Sequence, residues 1–354
     1  MQFWRSYSLS IEELVYDWNT VEPSLTKPNR KISFDDETLR DGLQSPSVCE
    51  PAVEEKLQLL HLMNDLQIDT ADIGLPGAGG THAAGVERLA REIVDQKLKI
   101  RPNCAARTMR SDIQPIVDIA QRTGAPIEAC TFVGSSSVRF FAEDWTLDKL
   151  LQLTEEAVTF AIGEGLPVMY VTEDTTRAKP EVIKALYQTA IRCGAKAVCV
   201  CDTVGHSTPD GARAVVKFVK SIIEEEGGGV RLDWHGHQDR GLGVINSIAA
   251  IQGGADQVHA ATVYHCYRGS HLVPVAGKVV FIFVNFLAQQ GAVGIQQRHL
   301  TDVALLVVLV DFLAGQRGAG DREVLVFHLA SLDVIGRKFN QHVLAFALFP
   351  IGSR

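Results

Sequence analysis

Eight short bursts of apolar and β-branched residues recur along this chain at roughly 25- to 40-residue intervals, with helical patterns between them. The bursts are ISFDDETLR (32–40), DTADIGLP (69–76), IRPNCAAR (100–107), IEACTFVGS (127–135), VMYVTEDTTR (168–177), AVCVCDTVG (197–205), VRLDWHGHQD (230–239) and DQVHAATV (256–263). The helical stretch 146–165 opens on a Thr or Asp cap and closes on glycine, and a second runs over 209–229. Strands that alternate with helices make βα units and a parallel sheet. Eight such units suit closure into a barrel of ~250 residues. An open doubly wound sheet is the rival, but no GxGxxG follows the first burst.

The expectation is an α/β chain built on a (β/α)8 TIM barrel over residues 31–290. A short N-terminal extension covers 1–30, and a divergent, helical C-terminal segment covers 291–354. Bulk properties narrow the partners. The 354 residues are 46% apolar, enough for a large core, and the net charge is −8 with no long basic run. Nucleic acid is therefore an unsuitable partner. The opening MQFWRSYSLSIEELVYDW lacks the apolar stretch of a signal peptide. The apolar runs 279–288 and 303–315 fall short of the ~18 residues of a membrane span. Seven cysteines, at 49, 104, 130, 193, 199, 201 and 266, form no CxxC pair, which fits a reducing cytoplasm. Cys199 and Cys201 alternate with valines, as on one face of a buried strand.

Reactive side chains gather where the strands run out, which is where a parallel barrel builds its site. The first strand ends in Arg40 and Asp41, and the fifth in Glu173 and Asp174. The sixth ends in Asp202, Thr203 and His206, and the seventh in His235, His237 and Asp239. His235 and His237 stand two apart and share a face, so with Asp41 they can bind one metal ion. Two imidazoles and a carboxylate suit zinc, manganese, magnesium or iron, and softness alone does not choose among them. Arg40 beside Asp41 sets a fixed cation where an oxyanion would develop from a carbonyl, although an ion-pair cluster at a strand end would read the same way.

DETLRDGLQ, VTEDTTR, CDTVGHSTP and HGHQDRGLGVINSIAAIQGGADQVHAAT occur in that order. Together they resemble the DRE-TIM metallolyase superfamily, in particular its 2-isopropylmalate, homocitrate and citramalate synthase branch, over about residues 31–262. The resemblance implies a TIM barrel that condenses acetyl-CoA with a 2-oxo acid and hydrolyses the thioester. It implies a divalent metal (zinc, manganese or magnesium) on Asp41, His235 and His237, with acetyl-CoA as co-substrate. Arg40 would face the 2-oxo group, Glu173 would take part in proton transfer, Thr203 would contact the substrate carboxylate and Gln44 would lie close to it. Arg139 falls about where homocitrate synthases bind the distal carboxylate of 2-oxoglutarate; the other reading is a surface arginine paired with Glu143 or Asp144. The wording of the motifs lies nearest the 2-isopropylmalate synthases, which points to 2-oxoisovalerate or pyruvate, to leucine biosynthesis and to a cytoplasmic homodimer.

The chain departs from that pattern in two places. Gln238 stands where the family has asparagine, and TVYHCYRGSHLVPVAGKVV (262–280) replaces the family's G-x-G-E-R-x-G-N stretch, whose asparagine completes the metal shell. His265 or His271 could substitute there. Residues 263–354 hold 8 Lys or Arg against 5 Asp or Glu, a composition unlike the rest of the chain, and no motif singles out His299, His328 or His342 as the base for acetyl-CoA. Two other readings follow from these departures. One is a lyase like the 3-hydroxy-3-methylglutaryl-CoA lyases, with Cys266 near their catalytic loop. The other is a non-catalytic barrel with an incomplete metal site.

Overall fold

The computed structural model describes residues 18, 28–44, 50–261 and the strand segments 278–285, 304–311, 333–334 and 337–338. The chain divides into two units, Met1–Lys31 and Ile32–Arg354. The second unit holds eight parallel strands that close into a barrel: β1 (Ser33–Asp36), β2 (Thr70–Asp72), β3 (Arg101–Arg107), β4 (Glu128–Gly134), β5 (Val168–Glu173), β6 (Ala197–Asp202), β7 (Arg231–Gly236) and β8 (Gln257–Ala260). Closure rests on the β1–β8 ladder, which runs from Ser33 opposite Gln257 to Asp36 opposite Ala260. Helices α1 (Val53–Asp65), α2 (Gly80–Asp95), α3 (Arg110–Thr123), the short α4 (Ser137–Glu143), α5 (Leu147–Gly163), α6 (Pro180–Arg192), α7 (Pro209–Glu225) and α8 (Gly243–Gly253) connect them. All eight expected strands are present, and the expected helices at 146–165 and 209–229 are α5 and α7.

Local chemistry sets the ends of these elements. Thr146 and Thr208 cap α5 and α7 by accepting from the backbone N–H groups of Lys149 and Gly211. Gly124 closes α3 in the left-handed region, at φ 73°. Every residue of β6, AVCVCD, is buried, as expected of a strand covered on both faces. The core is the layer between strands and helices, where Trp234, Tyr170, Tyr187 and many Ile, Leu and Val side chains are enclosed. The Tyr187 hydroxyl donates to the Cys199 carbonyl (2.8 Å), and the Tyr170 hydroxyl lies 2.7 Å from that of Thr154, so these two tyrosines bury without orphaning their polar tips.

Most strands are shorter than their sequence patterns, and three of these early ends shape the site. β1 stops at Asp36 because the Asp36 carboxylate accepts from the N–H of Thr38 (2.8 Å) and turns the chain. Arg40 and Asp41 therefore lie on a tight turn, with the N–H of Arg40 and of Gly42 both donating to the Glu37 carbonyl. β5 stops at Glu173, and Asp174 then takes a left-handed conformation, φ 58°. β7 stops at Gly236, one residue before His237. Beyond β8, the described segments β9 (Lys278–Asn285) and β10 (Ala304–Asp311) pair antiparallel, and the two-residue strands β11 (Asp333–Val334) and β12 (Arg337–Lys338) pair likewise. β9 lies within 31–290, the span expected for the barrel, and pairs with β10, which lies outside it. The segments described in 291–354, expected as helical, are strands; ALLVVLVD carries no polar face at helical spacing. Residues 262–277, with His265, Cys266 and His271, and residues 299, 328 and 342 lie outside the described residues.

Candidate active site

The strand ends open onto one cavity of about 420 Å³, lined by Arg40, Asp41, Gln44, Glu173, Thr203, His235 and His237 among others. Residues from four strand ends and their turns meet there. Asp41 Oδ2 lies 3.7 Å from His235 Nε2 and 3.5 Å from His237 Nε2, and the two Nε2 atoms are 3.1 Å apart. A tetrahedral ion with ~2.0–2.1 Å bonds holds its ligand atoms about this far from one another, so this donor set fits a divalent cation. His237 reaches the cluster although it lies past the end of β7; the two rings sit 5.2 Å apart.

Arg40 is held by three carboxylates. Its Nε donates to Asp72 (2.9 Å), one terminal nitrogen to Asp41 (3.2 Å) and the other to Glu37. Three of its five N–H bonds are thereby committed, which leaves two for other acceptors. Burial works against the charge of Glu37, but the Arg40 guanidinium and the imidazoles of His235 and His259 together outweigh it and hold the carboxyl well below its usual range. Burial would likewise lower the pKa of His235, yet its hydrogen bond to Glu37 and that carboxylate's charge hold the imidazole above its ordinary value.

Across the cavity, burial raises the Glu173 carboxyl above the usual range, opposed by Arg139 and then Arg40. A carboxyl raised in this way is better suited to accepting and returning a proton than an exposed one. Arg139 does not line the cavity. It sits on α4 with one terminal nitrogen 3.2 Å from Glu143 and the other 3.8 Å from Glu173, and its guanidinium lies 5.6 Å from the centre of the Trp145 ring. The Glu143 pairing of the surface reading is present, and so is a link to the cavity through Glu173. Thr203 Oγ1 accepts from the backbone N–H of Asp174 (2.8 Å), which fixes the turns after β5 and β6 to each other. Gln44 ends the turn that follows Asp41.

Other polar residues at the rim are structural. Asp202 accepts from the N–H groups of His206 and Ser207 and from the Thr176 hydroxyl, while Arg177 grips Asp174 through two bonds of 2.7 Å. Arg240 donates to the carbonyls of Gly205, His206 and Ser207, tying the β6 and β7 loops together. Gly205 is required there: its φ is 59°, and a Cβ would lie 3.1 Å from the Asp239 backbone nitrogen.

Glu37, Asp72 and His259 were not singled out from the sequence, yet all three line the cavity. Glu37 belongs to the acidic cluster DDETLRD, and Asp72 and His259 lie at inward-facing alternate positions of β2 and β8. That alternation was the available signal.

The HMGL-like family model matches residues 31–264. A 2-isopropylmalate synthase from Pyrococcus furiosus is 31% identical over 230 residues, covering 65% of this chain and 45% of the relative. Homocitrate synthase AksA from Methanopyrus kandleri is 30% identical over 233 residues, covering 65% and 54%. The chain spans about half the length of the curated relatives it matches. Among solved structures, the hydroxymethylglutaryl-CoA lyase from Pseudomonas aeruginosa superposes with a TM-score of 0.55 at 18% identity, over 65% of this chain and 76% of that one, and shares the barrel. The match over most of the barrel, with its site built from the turns that carry the motifs, makes this chain a member of the HMGL-like family.

Proposed function

We propose that this chain is a metal-dependent acyltransferase that condenses acetyl-CoA with a 2-oxo acid, in the manner of a 2-isopropylmalate synthase, and releases CoA and a 2-alkylmalate-type product. The observation that carries the reading is the meeting of Asp41, His235 and His237 with Arg40 and Glu173 in one cavity. Asp41, His235 and His237 would hold the divalent ion, zinc, manganese or magnesium, which supplies Lewis-acid polarisation of the keto group.

Every other part of the work falls to side chains. The two uncommitted N–H groups of Arg40 face the position where the keto oxygen becomes an alkoxide, and a fixed guanidinium there lowers the barrier without reorganising. Glu173, held above the usual carboxyl range, moves the proton at the acetyl methyl. Thr203 and Gln44 orient the 2-oxo acid carboxylate. Part of the lining is an apolar wall, made by Cys130 and Phe132 of β4 and Met169 and Val171 of β5. Arg139 is committed to Glu143 and Glu173, outside the lining. An apolar wall favours a 2-oxo acid with an aliphatic tail, so 2-oxoisovalerate is the first choice, with pyruvate next, and leucine biosynthesis is the proposed role. The cysteines at 104, 130, 193, 199 and 201 are free, and no described helix is long and apolar enough to cross a membrane; the cytoplasm is the proposed compartment.

The test is thiol release from acetyl-CoA with 2-oxoisovalerate, pyruvate and 2-oxoglutarate. Release that depends on a 2-oxo acid, fastest with 2-oxoisovalerate, supports the proposal. No release with any of them, together with cleavage of a 3-hydroxyacyl-CoA to acetyl-CoA, would replace it with a lyase.

A further inference from the structure

His235 has two ring nitrogens, and its place in a metal centre requires that the one facing Asp41 and His237 carry no proton. That nitrogen is Nε2. An imidazole in water favours neither arrangement strongly enough to secure this, so a partner must hold the proton on Nδ1. Glu37 Oε1 lies 3.3 Å from His235 Nδ1. The same oxygen lies 2.8 Å from Nδ1 of His259, whose Nε2 is 3.3 Å from Asp233. The other oxygen of Glu37 accepts from Arg40. Asp233 in turn is bridged to Arg231, which also grips Glu128. Glu37 is therefore pinned from two sides, by a guanidinium and by a buried imidazole. His235 Nδ1 lies 3.3 Å from both Glu37 Oε1 and His259 Nδ1, and because His259 Nδ1 is itself turned to Glu37 at 2.8 Å, the carboxylate is the acceptor left for a proton on His235 Nδ1.

Resting on the metal-centre reading above, we propose that Glu37 is a positioning residue for it. Glu37 holds the proton of His235 on Nδ1, leaves Nε2 bare toward Asp41 and His237, and is itself held by Arg40 and His259. Glu37, His235 and His259 also converge closely enough to suggest a second ion. His259 argues against that use: each of its nitrogens is already engaged by a carboxylate oxygen within hydrogen-bonding reach. The arrangement is a carboxylate behind a metal-binding histidine, with a second histidine behind the carboxylate.

The experiment compares the full chain with Glu37→Gln in two measurements. The first is affinity for zinc, by competition with a chromophoric chelator, alongside the unfolding temperature. Loss of a partner behind a ligating histidine weakens binding about 10–100-fold. Such a loss in a variant that keeps the native circular dichroism supports the role; wild-type affinity in Glu37→Gln overturns it. The second is the tautomer of His235 in the metal-free wild type, read from ring 15N shifts at a pH where the ring is neutral and assigned with His235→Gln. A proton on Nδ1 supports the proposal and a proton on Nε2 overturns it. This measurement needs neither bound metal nor a folded Glu37 variant. If the wild type binds no zinc, the metal-centre reading fails, while the tautomer still decides what Glu37 does to His235.

Discussion

Arg40→Lys separates a catalytic guanidinium from a merely neutralising charge. The arginine reaches three carboxylates at once, Asp72, Asp41 and Glu37, and its side chain is 19% exposed. A lysine ammonium is a point charge that cannot span three partners set around a planar fork. It keeps one contact and loses about two, each a charged hydrogen bond of ~1.5–3 kcal/mol. The retained charge keeps the loss under the ~3–5 kcal/mol of removing a buried partner outright, so about 3 kcal/mol of stability is lost. At ~2–4 °C per kcal/mol for a barrel of this size, the unfolding temperature falls about 6–12 °C. In the reaction the ammonium no longer offers the two spare N–H groups, and loss of oxyanion donors costs ~100–1,000-fold in kcat.

The assay is steady-state thiol release with saturating acetyl-CoA and a titrated 2-oxo acid, beside a thermal melt. The expected result is kcat down at least about 100-fold, with KM for the 2-oxo acid changed by far less, because the lost contact is made in the transition state. A variant with wild-type kcat and only a raised KM would refute the oxyanion role. An unchanged melt would refute the three-way ion pair.

Three further outcomes follow from the same geometry. His237→Ala abolishes metal binding and turnover while the barrel stays folded; full metal content in the variant, measured by emission spectroscopy, removes Asp41, His235 and His237 as the site. Arg139→Ala removes a cation that pulls the Glu173 carboxyl down, so the acidic limb of the kcat/KM profile moves to higher pH, and an unmoved limb would show that Glu173 does not carry the titration. Burial raises the Asp36 carboxyl from 3.8 to about 6, so the native state binds the extra proton and stability falls as pH rises from ~4 to ~6; Asp36→Asn, which keeps an acceptor for the Thr38 N–H, removes that slope and gains on the order of 3 kcal/mol at neutral pH, checked by chemical denaturation across this range.

The barrel was legible because its signal is repetitive: eight apolar bursts at similar spacing leave few architectures that cover both faces of every strand. The motif residues were legible because the strand ends of a parallel barrel all open on one side. What the sequence concealed depends on single hydrogen bonds. Nothing in the pattern ISFDDETLR says that the Asp36 side chain will capture the Thr38 N–H and end the strand four residues early. His259 and Asp72 sit in short strands whose inward positions carry no motif, and only closure of β1 against β8 and β2 brings them to Glu37 and Arg40. Arg139 read equally well as a pocket or a surface residue because its place turns on the short helix α4, which sets it between Glu143 and Glu173.

Closure also divides the inside of the barrel in a way that bears on substrate choice. β7, β8, β1, β2 and β3 are neighbours in the closed sheet and point Asp233, Gln257, His259, Asp35, Glu37, Thr70, Asp72 and Asn103 inward. β4, β5 and β6 face them with Cys130, Phe132, Met169, Val171, Cys199 and Cys201, and the two thiols of β6 lie 4.0 Å apart on one face, as their alternation with valines implied. A buried charge without a partner is strongly disfavoured, so the polar arc holds only because Arg40, Arg231 and His259 are threaded through it. That threading uses the cations up. Glu37, Asp41 and Asp72 share Arg40, while Asp233 and Glu128 share Arg231, which leaves no buried arginine among the described lining residues to receive a second substrate carboxylate. A 2-oxo acid lying across the cavity would set its keto and carboxylate oxygens against the polar arc and its tail against sulfur and hydrocarbon. A distal carboxylate on that tail would meet Phe132 and Val171 instead of a cation. The proposed preference for an aliphatic 2-oxo acid thus rests on how the barrel closes, and replacing Val171 with arginine should shift use toward 2-oxoglutarate; unchanged selectivity in that variant would mean the tail lies elsewhere.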